Sequence, residues 1–328
     1  MQLYFNLIDL IDENPSTSIN KAYNILKQKR NNMNEFKKII RVWEIEVALK
    51  MEEEISKQSR NKNLKNLNKS LSRDNTDYFY LKEEGFHYTD FLARNDVAFK
   101  DDKKHEISEI NKFINRICYI IRNIEGDIVG IQGRSVLSNI TKKEKVMNTW
   151  DSKSGTHFYL LHQFVNNKKI NKVIITEGPK DALRIKESVE KNNLNNIAII
   201  SSLGCFMSQA QFYLLSKVFN KKVEICLAFD VDDNGKKGTI HAAKRLKERG
   251  FENITFVFPP CFRDDWGELT TRKEQDQIVD SIKNTIKVTM ENYENEEDKR
   301  GEQRNKEILD RIRQDIRKAF LVNIHRNK

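Results

Sequence analysis

The sequence predicts an α/β fold: a parallel β-sheet flanked by helices, preceded by a smaller α+β region, with helical segments at both ends. The main observation is an alternation of short apolar runs with helix-like stretches between residues 172 and 258. A second is a hairpin pattern before that region, where two β-rich runs surround a glycine-containing turn. The third is helical spacing of apolar residues near both ends.

Composition narrows the possible functions. The chain has 328 residues, with 58 Lys+Arg against 48 Asp+Glu and a formal net charge of +10. This length favours two or three domains of roughly 100–200 residues each, and the basic excess fits a polyanionic partner. We find neither a membrane-length apolar run nor a secretory leader, so we expect no membrane association. The 4 cysteines form no C-x-x-C pair, so we expect no zinc, no disulfides and a cytoplasmic location.

The N-terminal part, residues 1–77, is predicted to be helical and to end in a basic linker. Apolar residues recur at helical spacing from Ile19 to Leu26 and again from Phe36 to Val47. From Ser56 to Asp77 the chain is polar and basic, with leucines as its only apolar anchors. Two interpretations stay open for that stretch, a solvated linker and a weak amphipathic helix.

Residues 78–168 form the predicted α+β region, and residues 169–270 the predicted parallel sheet. The hairpin pattern pairs residues 118–121 with 128–131 across Gly126. In the second region, strands are expected at residues 173–176, 197–200, 223–229 and 254–258, with helices at about 180–191, 207–219 and 237–249. Residues 271–328 are predicted to be helical, and an amphipathic pattern runs from Ile308 to Phe320.

Acidic residues follow the predicted parallel strands. Glu177 follows the first strand, Asp230 and Asp232 follow the third, and Asp265 follows the fourth after a short loop. The carboxyl ends of parallel strands share one edge of a sheet, so these carboxylates should converge. Without nearby His or Cys they suit Mg²⁺ or Mn²⁺. Acids at such positions also cap helices and form turns, and Gly235 allows a tight turn into the next helix.

These segments resemble the Toprim domain shared by DnaG-type primases, topoisomerases and some nucleases. The resemblance rests on I-I-T-E-G-P-K-D-A at residues 174–182, S-L-G at 202–204, F-D-V-D-D-N-G at 229–235 and D-W-G-E-L at 265–269. It implies that Glu177, Asp230 and Asp232 are catalytic, and that these three with Asp265 bind the metal. Asp181, Gly178 and Gly235 would support the site, and Lys180 would contact nucleotide or DNA. The family's second acid is missing at Gly267, where Glu268 is a candidate substitute.

The preceding region resembles the RNA-polymerase subdomain of the same primases. The matching stretches are R-I-C-Y-I-I-R-N at residues 116–123, V-G-I-Q-G-R at 129–134 and K-V-M-N-T at 145–149. This resemblance implies that Arg134, Lys145 and Asn148 bind nucleotide or template DNA. It implies a DNA primase of a phage, plasmid or other mobile element, acting in the bacterial cytoplasm or in that of a phage host. Such an enzyme synthesises RNA primers on single-stranded DNA from nucleoside triphosphates, and its C-terminal helices would dock a replicative helicase.

Two other functions stay open. A Toprim nuclease or nucleic-acid-processing enzyme would use the same acids for hydrolysis, and a non-catalytic replication or defence accessory protein would retain only the fold. The sequence contains no four-ligand zinc module of the kind that such primases usually carry at the N-terminus, and no P-loop that would indicate a fused helicase. A topoisomerase is disfavoured because the chain is too short for the DNA-gate domains.

Overall fold

The computed structural model describes residues 62–72, 86, 89–106, 108–137, 140–149, 156–261, 263–288 and 292. These residues form two compact units. The first unit comprises the described residues up to Lys168 together with Ile200–Asn220, and the second comprises Lys169–Ile199 and the described residues from Lys221 onward. The helices predicted within residues 19–47 and 308–320 lie outside the described residues. The division of the chain at 77, 168 and 270 stays a prediction.

The first unit contains a four-stranded antiparallel sheet with the order β1-β2-β3-β4. Its strands are β1 (Val97–Lys100), β2 (Arg116–Arg122), β3 (Ile128–Ser135) and β4 (Val146–Asn148). The predicted hairpin is confirmed, because β2 and β3 pair directly. Gly126 has a φ of 90° in the connecting turn, a backbone conformation that glycine adopts without steric cost.

The first unit also contains short helices, and the first of them decides between the two interpretations of the basic stretch. They are α1 (Lys62–Ser70), α2 (Thr89–Arg94), α3 (Ser108–Asn111) and α4 (Lys142–Lys145). Leu67 in α1 and Leu71 directly after its end are buried in a cluster with Phe113 and Ile120. A solvated linker is therefore wrong for residues 62–72, and the amphipathic-helix alternative is confirmed there.

A five-stranded sheet has the order β6-β5-β7-β8-β9, and all of it except Ile200 and Ser201 at the end of β6 belongs to the second unit. Its strands are β5 (Lys172–Thr176), β6 (Ile197–Ser201), β7 (Glu224–Ala228), β8 (Asn253–Phe256) and β9 (Ile286–Lys287). Strand β7 runs parallel to both β5 and β8, as predicted. Strand β9 pairs antiparallel with β8, so the sheet is mixed and continues past residue 270, where only helices were predicted.

The helices of the alternating region lie where the sequence places them. They are α5 (Pro179–Lys191), α6 (Gln209–Val218) and α7 (Asp233–Glu248); α8 (Arg272–Asp276) and α9 (Ile278–Lys283) follow. Helix α5 begins with Pro179, whose missing N–H has no partner to lose in a first helical turn. Helix α6 belongs to the first unit. The predicted strands and helices of this alternating region are thus confirmed.

Burial explains the unbroken apolar runs of the central strands. Every residue of β5 is buried, and in β7 only Glu224 is partly exposed. Strands of a parallel sheet covered on both faces have no solvent side, so they show no apolar–polar alternation. Within the part of the chain that the structure describes, no helix is both long and apolar enough to cross a membrane.

Candidate active site

Glu177 lies at the end of β5 and is tied to the end of β7. Its Oε1 atom accepts a hydrogen bond of 3.1 Å from the backbone N–H of Asp230. The bond joins two residues that are 53 positions apart in the chain. The convergence predicted for the first and third strand ends is therefore present in the second unit.

Asp232 and Gly235 place the start of α7 against this junction. Asp232 is the N-cap of α7, and its Oδ1 accepts from the N–H of Gly235 at 2.7 Å. A Cβ atom on Gly235 would lie 2.0 Å from the Asp230 carbonyl oxygen and 3.0 Å from Glu177 Oε1. Gly235 is thus required for close packing, and not for the tight turn expected from the sequence, since its φ is not positive.

Asp265 occupies the equivalent position on the neighbouring loop. It is the N-cap of a 3₁₀ turn (Trp266–Glu268), and its Oδ1 accepts from the N–H of Glu268 at 2.9 Å. A backbone hydrogen bond of 2.9 Å from the Val231 N–H to the Asp264 carbonyl joins this loop to the one after β7. The capping interpretation of the acids is therefore correct for both Asp232 and Asp265, and capping holds them near the other carboxylates.

Asp181 bridges the start of α5 and the 3₁₀ turn. Its Oδ2 accepts from the N–H of Gly178 at 3.0 Å, and its Oδ1 accepts from the N–H of Gly267 at 2.9 Å. The second bond spans 86 positions of the chain and is buried. A Cβ atom on Gly178 would approach Asp181 Oδ2 to 2.7 Å, so the support predicted for Gly178 and Asp181 has a structural basis.

Charge and burial make this group of carboxylates electrostatically unfavourable. Burial raises the pKa of Glu177 to about 7; the Asp230 N–H opposes this rise, while the charges of Asp232, Asp181 and Asp265 add to it. Burial also raises the pKa of Asp230 far above its usual range, and the neighbouring acids, Asp181 and Glu177 first among them, raise it further. Perturbed carboxylates gathered at one edge of a sheet are typical of functional sites.

A divalent cation fits these residues after side-chain adjustment. In the described part of the chain, no three His, Cys, Asp or Glu side chains stand ready to hold a metal ion. The Oδ1 atom of Asp230, however, is buried and accepts no hydrogen bond from any described residue. A buried carboxylate oxygen without a donor, among like charges, is relieved either by a proton or by a cation. The all-oxygen donor set suits Mg²⁺ or Mn²⁺.

The other predicted binding residues lie in the first unit. Arg134 on β3 is partly exposed and pairs in register with Val146 on β4, next to the exposed Lys145. Asn148 is exposed on β4, and its Oδ1 accepts from Gln132 Nε2 at 3.2 Å. The structure brings Arg134, Lys145 and Asn148 onto neighbouring strands and an adjoining turn, whereas Lys180 lies in the second unit beside Asp181.

Arg116 and Gly267 have structural roles that the sequence did not reveal. The buried Arg116 donates from its guanidinium to the Glu144 carbonyl at 2.8 Å and so fixes the turn that carries Lys145. Gly267 supplies a backbone N–H to Asp181. In the sequence, only the position of Arg116 next to a hydrophobic run could have indicated its structural role. The role of Gly267 could have been suspected only because an acid was expected there.

Comparisons with known proteins find similar sequences. Residues 174–270 match a family model described as Toprim-like. A DNA primase of Clostridium acetobutylicum is 24% identical over 212 residues, which cover 64% of this chain and 32% of that protein. A DNA primase of Buchnera aphidicola is 27% identical over 236 residues, which cover 67% of this chain and 39% of that protein. The chain thus spans well under half the length of these curated relatives.

Two solved structures share the fold. The structure of the DnaG catalytic core aligns with a TM-score of 0.50 at 19% identity, covering 65% of this chain and 73% of that one. The Aquifex aeolicus primase structure, with zinc-binding and RNA polymerase domains, aligns with a TM-score of 0.51 at 18% identity, covering 79% and 67%. The chain therefore has the fold of a primase catalytic core.

Proposed function

We propose that this chain, which carries a Toprim-like domain and is related to the DnaG-type primases, is itself a DNA primase. It would join nucleoside triphosphates into short RNA primers on a single-stranded DNA template. The observation that supports this most is the junction of Glu177 with Asp230 at the strand ends, with the donorless Oδ1 atom of Asp230 beside it. We also propose that the protein serves the replication of a phage, plasmid or other mobile element in a bacterial cytoplasm.

The carboxylates of Glu177, Asp230, Asp232 and Asp265 would hold Mg²⁺ or Mn²⁺. When bound, such an ion would neutralise triphosphate charge and stabilise the pyrophosphate that leaves. The protein's own part is to hold the oxygen ligands in place. Backbone N–H groups fix one oxygen each of Glu177, Asp232 and Asp265, and the second oxygen of each carboxylate would turn toward the metal.

Glu177 is the group best suited to move a proton. Without a bound metal, burial raises the pKa of Glu177 to about 7, and a bound divalent cation would favour its ionised form. An ionised carboxylate at this place can accept the proton that a primer 3′-hydroxyl loses during attack. We therefore assign Glu177 the role of general base in addition to that of metal ligand.

Arg134, Lys145 and Asn148 would bind the template or the nucleotide in the first unit. A guanidinium binds two phosphate oxygens in a fork, whereas an ammonium acts as a point charge. Arg134 on β3 pairs in register with Val146 on β4, and Lys145 directly precedes Val146, so we propose that both cations contact the same phosphate backbone. Such contacts give little sequence preference and a strong dependence on salt. We further propose that the C-terminal segment docks a replicative helicase.

The proposal is tested by incubating the protein with single-stranded DNA, labelled nucleoside triphosphates and Mg²⁺ or Mn²⁺. We expect template-dependent RNA, and we expect Glu177→Gln and Asp230→Asn each to reduce its rate by about a hundredfold or more, the effect of losing a proton acceptor or a charge-stabilising group. The matched control is Glu252→Gln, an exposed glutamate of the same unit, which should keep the rate.

Labelled DNA in the same reactions separates the alternatives. Shortened DNA without any need for nucleoside triphosphates would indicate a nuclease and would contradict the primase proposal. If both acid variants retained every measured activity, the site would not be catalytic, and an accessory role would replace the enzyme.

A further inference from the structure

Gly267 leaves room for a lysine. A Cβ atom at Gly267 would lie 3.0 Å from both Cδ and Cε of Lys180 and 2.9 Å from Asp181 Oδ1. Distances this short are tighter than ordinary carbon contacts. Any side chain at position 267 would therefore displace the stem of Lys180 or the carboxylate of Asp181.

The neighbouring contacts hold the lysine stem at this place. Lys180 is the second residue of α5, between Pro179 at the helix start and Asp181. Asp181 ties the backbone of Gly267 to that of Gly178. The end of the Lys180 stem thus lies across Gly267, and its ammonium, one bond beyond Cε, stays close to that residue.

This position puts the end of the Lys180 stem on the same side of Gly267 as Asp181 Oδ1. Asp181 is a carboxylate neighbour that raises the pKa of both Glu177 and Asp230, so charges near Asp181 act on the whole group. The lysine side chain is partly exposed. A triphosphate brings several negative charges to such a site, and an ammonium beside the metal ligands can bind a phosphate oxygen.

We propose that Lys180, seated across Gly267, is a phosphate-contacting residue of this site, and that Gly267 lacks a side chain in order to admit it. The ligand is the triphosphate of a nucleotide, so this inference rests on the proposed function. If the proposal is correct, removal of the ammonium weakens the binding of triphosphate but does not weaken the binding of the divalent metal.

The test measures both kinds of binding by calorimetry on Lys180→Met, which keeps the length of the stem. The probes are Mn²⁺ alone, and inorganic tripolyphosphate or ATP in saturating Mn²⁺. We expect tripolyphosphate and ATP to bind about tenfold or more weakly, as for the loss of one charge-assisted hydrogen bond. We expect Mn²⁺ to bind at least as tightly, because a like charge has been removed. Lys191→Met, an exposed lysine at the far end of the same helix, is the control and should change neither.

Any other combination overturns the proposal. Unchanged triphosphate affinity, or no triphosphate binding by the unaltered protein, means that Lys180 contacts no phosphate. Joint loss of both affinities with a lower unfolding midpoint means that the lysine only stabilises the fold. Primer synthesis is scored separately: an unaltered protein that binds triphosphate through Lys180 but makes no RNA would contradict the primase proposal alone.

Gly267→Ala tests whether the contact between the Lys180 stem and Gly267 positions the ammonium. If the methyl group acts by displacing Lys180, it should weaken triphosphate binding in the unaltered protein and have no further effect in the Lys180→Met background. If it acts through Asp181, the effect should persist in both backgrounds, and the seat would be disproved.

Discussion

At the scale of single residues, the site depends on groups that do two things at once. Asp232 and Asp265 each cap a helical turn with one oxygen and also add to the negative charge around Glu177. The caps are ordinary local structure, which any Asp in such a loop could form. Their meeting with Glu177 and Asp230 is what distinguishes them from isolated caps.

Gly235 shows how narrow the tolerance is at this junction. We expect Gly235→Ala to lower the free energy of unfolding by about 1–3 kcal/mol, because the added methyl group would overlap the Asp230 carbonyl at 2.0 Å. The same shift should abolish most catalytic activity by moving Glu177. Denaturant unfolding and the primer assay check both effects. Asn234→Ala, an exposed change in the same helical turn, should leave both nearly unchanged; equal effects of the two variants would contradict the packing argument.

At the scale of elements, the late strand β9 is held by a polar network at the amino edge of the second sheet. Lys172 on β5 donates to the Ile282 carbonyl at 2.6 Å and pairs with Glu224 Oε1 at 3.1 Å. The hydroxyls of Thr255 and Thr285 each donate to the same oxygen at 2.7 Å. This network joins β5, β7, β8 and the α9–β9 connection.

Hydrogen bonds and an ion pair lower the pKa of Glu224 and so oppose the effect of its burial. Burial alone would raise the pKa of Glu224, but the hydroxyls of Thr255 and Thr285 and the Lys172 ammonium together lower it below its ordinary value. A carboxyl whose pKa is lowered by folding adds stability above its unfolded pKa, and that stability is lost as the pH falls.

We therefore expect Glu224→Gln to lower the free energy of unfolding at neutral pH by about 1–3 kcal/mol, because it leaves the buried Lys172 ammonium without its carboxylate. The difference from the unaltered protein should narrow as the pH falls below the ordinary pKa of a glutamate. Urea unfolding across that pH range measures it, with Glu252→Gln as the exposed control. A difference that stayed constant with pH would rule out the ion pair as the cause.

At the scale of the whole molecule, a net charge of +10 coexists with a strongly acidic edge of the second sheet. Glu177 has a pKa raised to about 7, so the folded protein binds its proton more tightly than the unfolded chain does. The resulting stability is complete below the unfolded pKa and is lost as the pH rises through the folded pKa. A divalent cation would replace the lost protons.

Because of this linkage, we expect the thermal unfolding midpoint of the protein in EDTA to decrease as the pH is raised from about 5 to about 8. Mn²⁺ or Mg²⁺ should raise the midpoint more at the higher pH, since the carboxylates are then ionised. Differential scanning fluorimetry over this range measures both effects. Glu177→Gln should flatten the dependence on pH; an unaltered slope in that variant would show that other groups cause it.

The sequence by itself determined the alternating strands and helices, because buried apolar runs and amphipathic stretches carry that information locally. It also determined that Glu177, Asp230, Asp232 and Asp265 follow strands of one sheet, and a parallel sheet then requires them to meet. Only the tertiary structure decided that Leu67 and Leu71 are buried, since a short basic stretch with few leucines is equally compatible with a linker. It also decided the close approach at Gly235, the two bonds of Asp181 and the seat of Lys180 on Gly267. Those features depend on distances between segments up to 86 residues apart, and no local pattern encodes such distances.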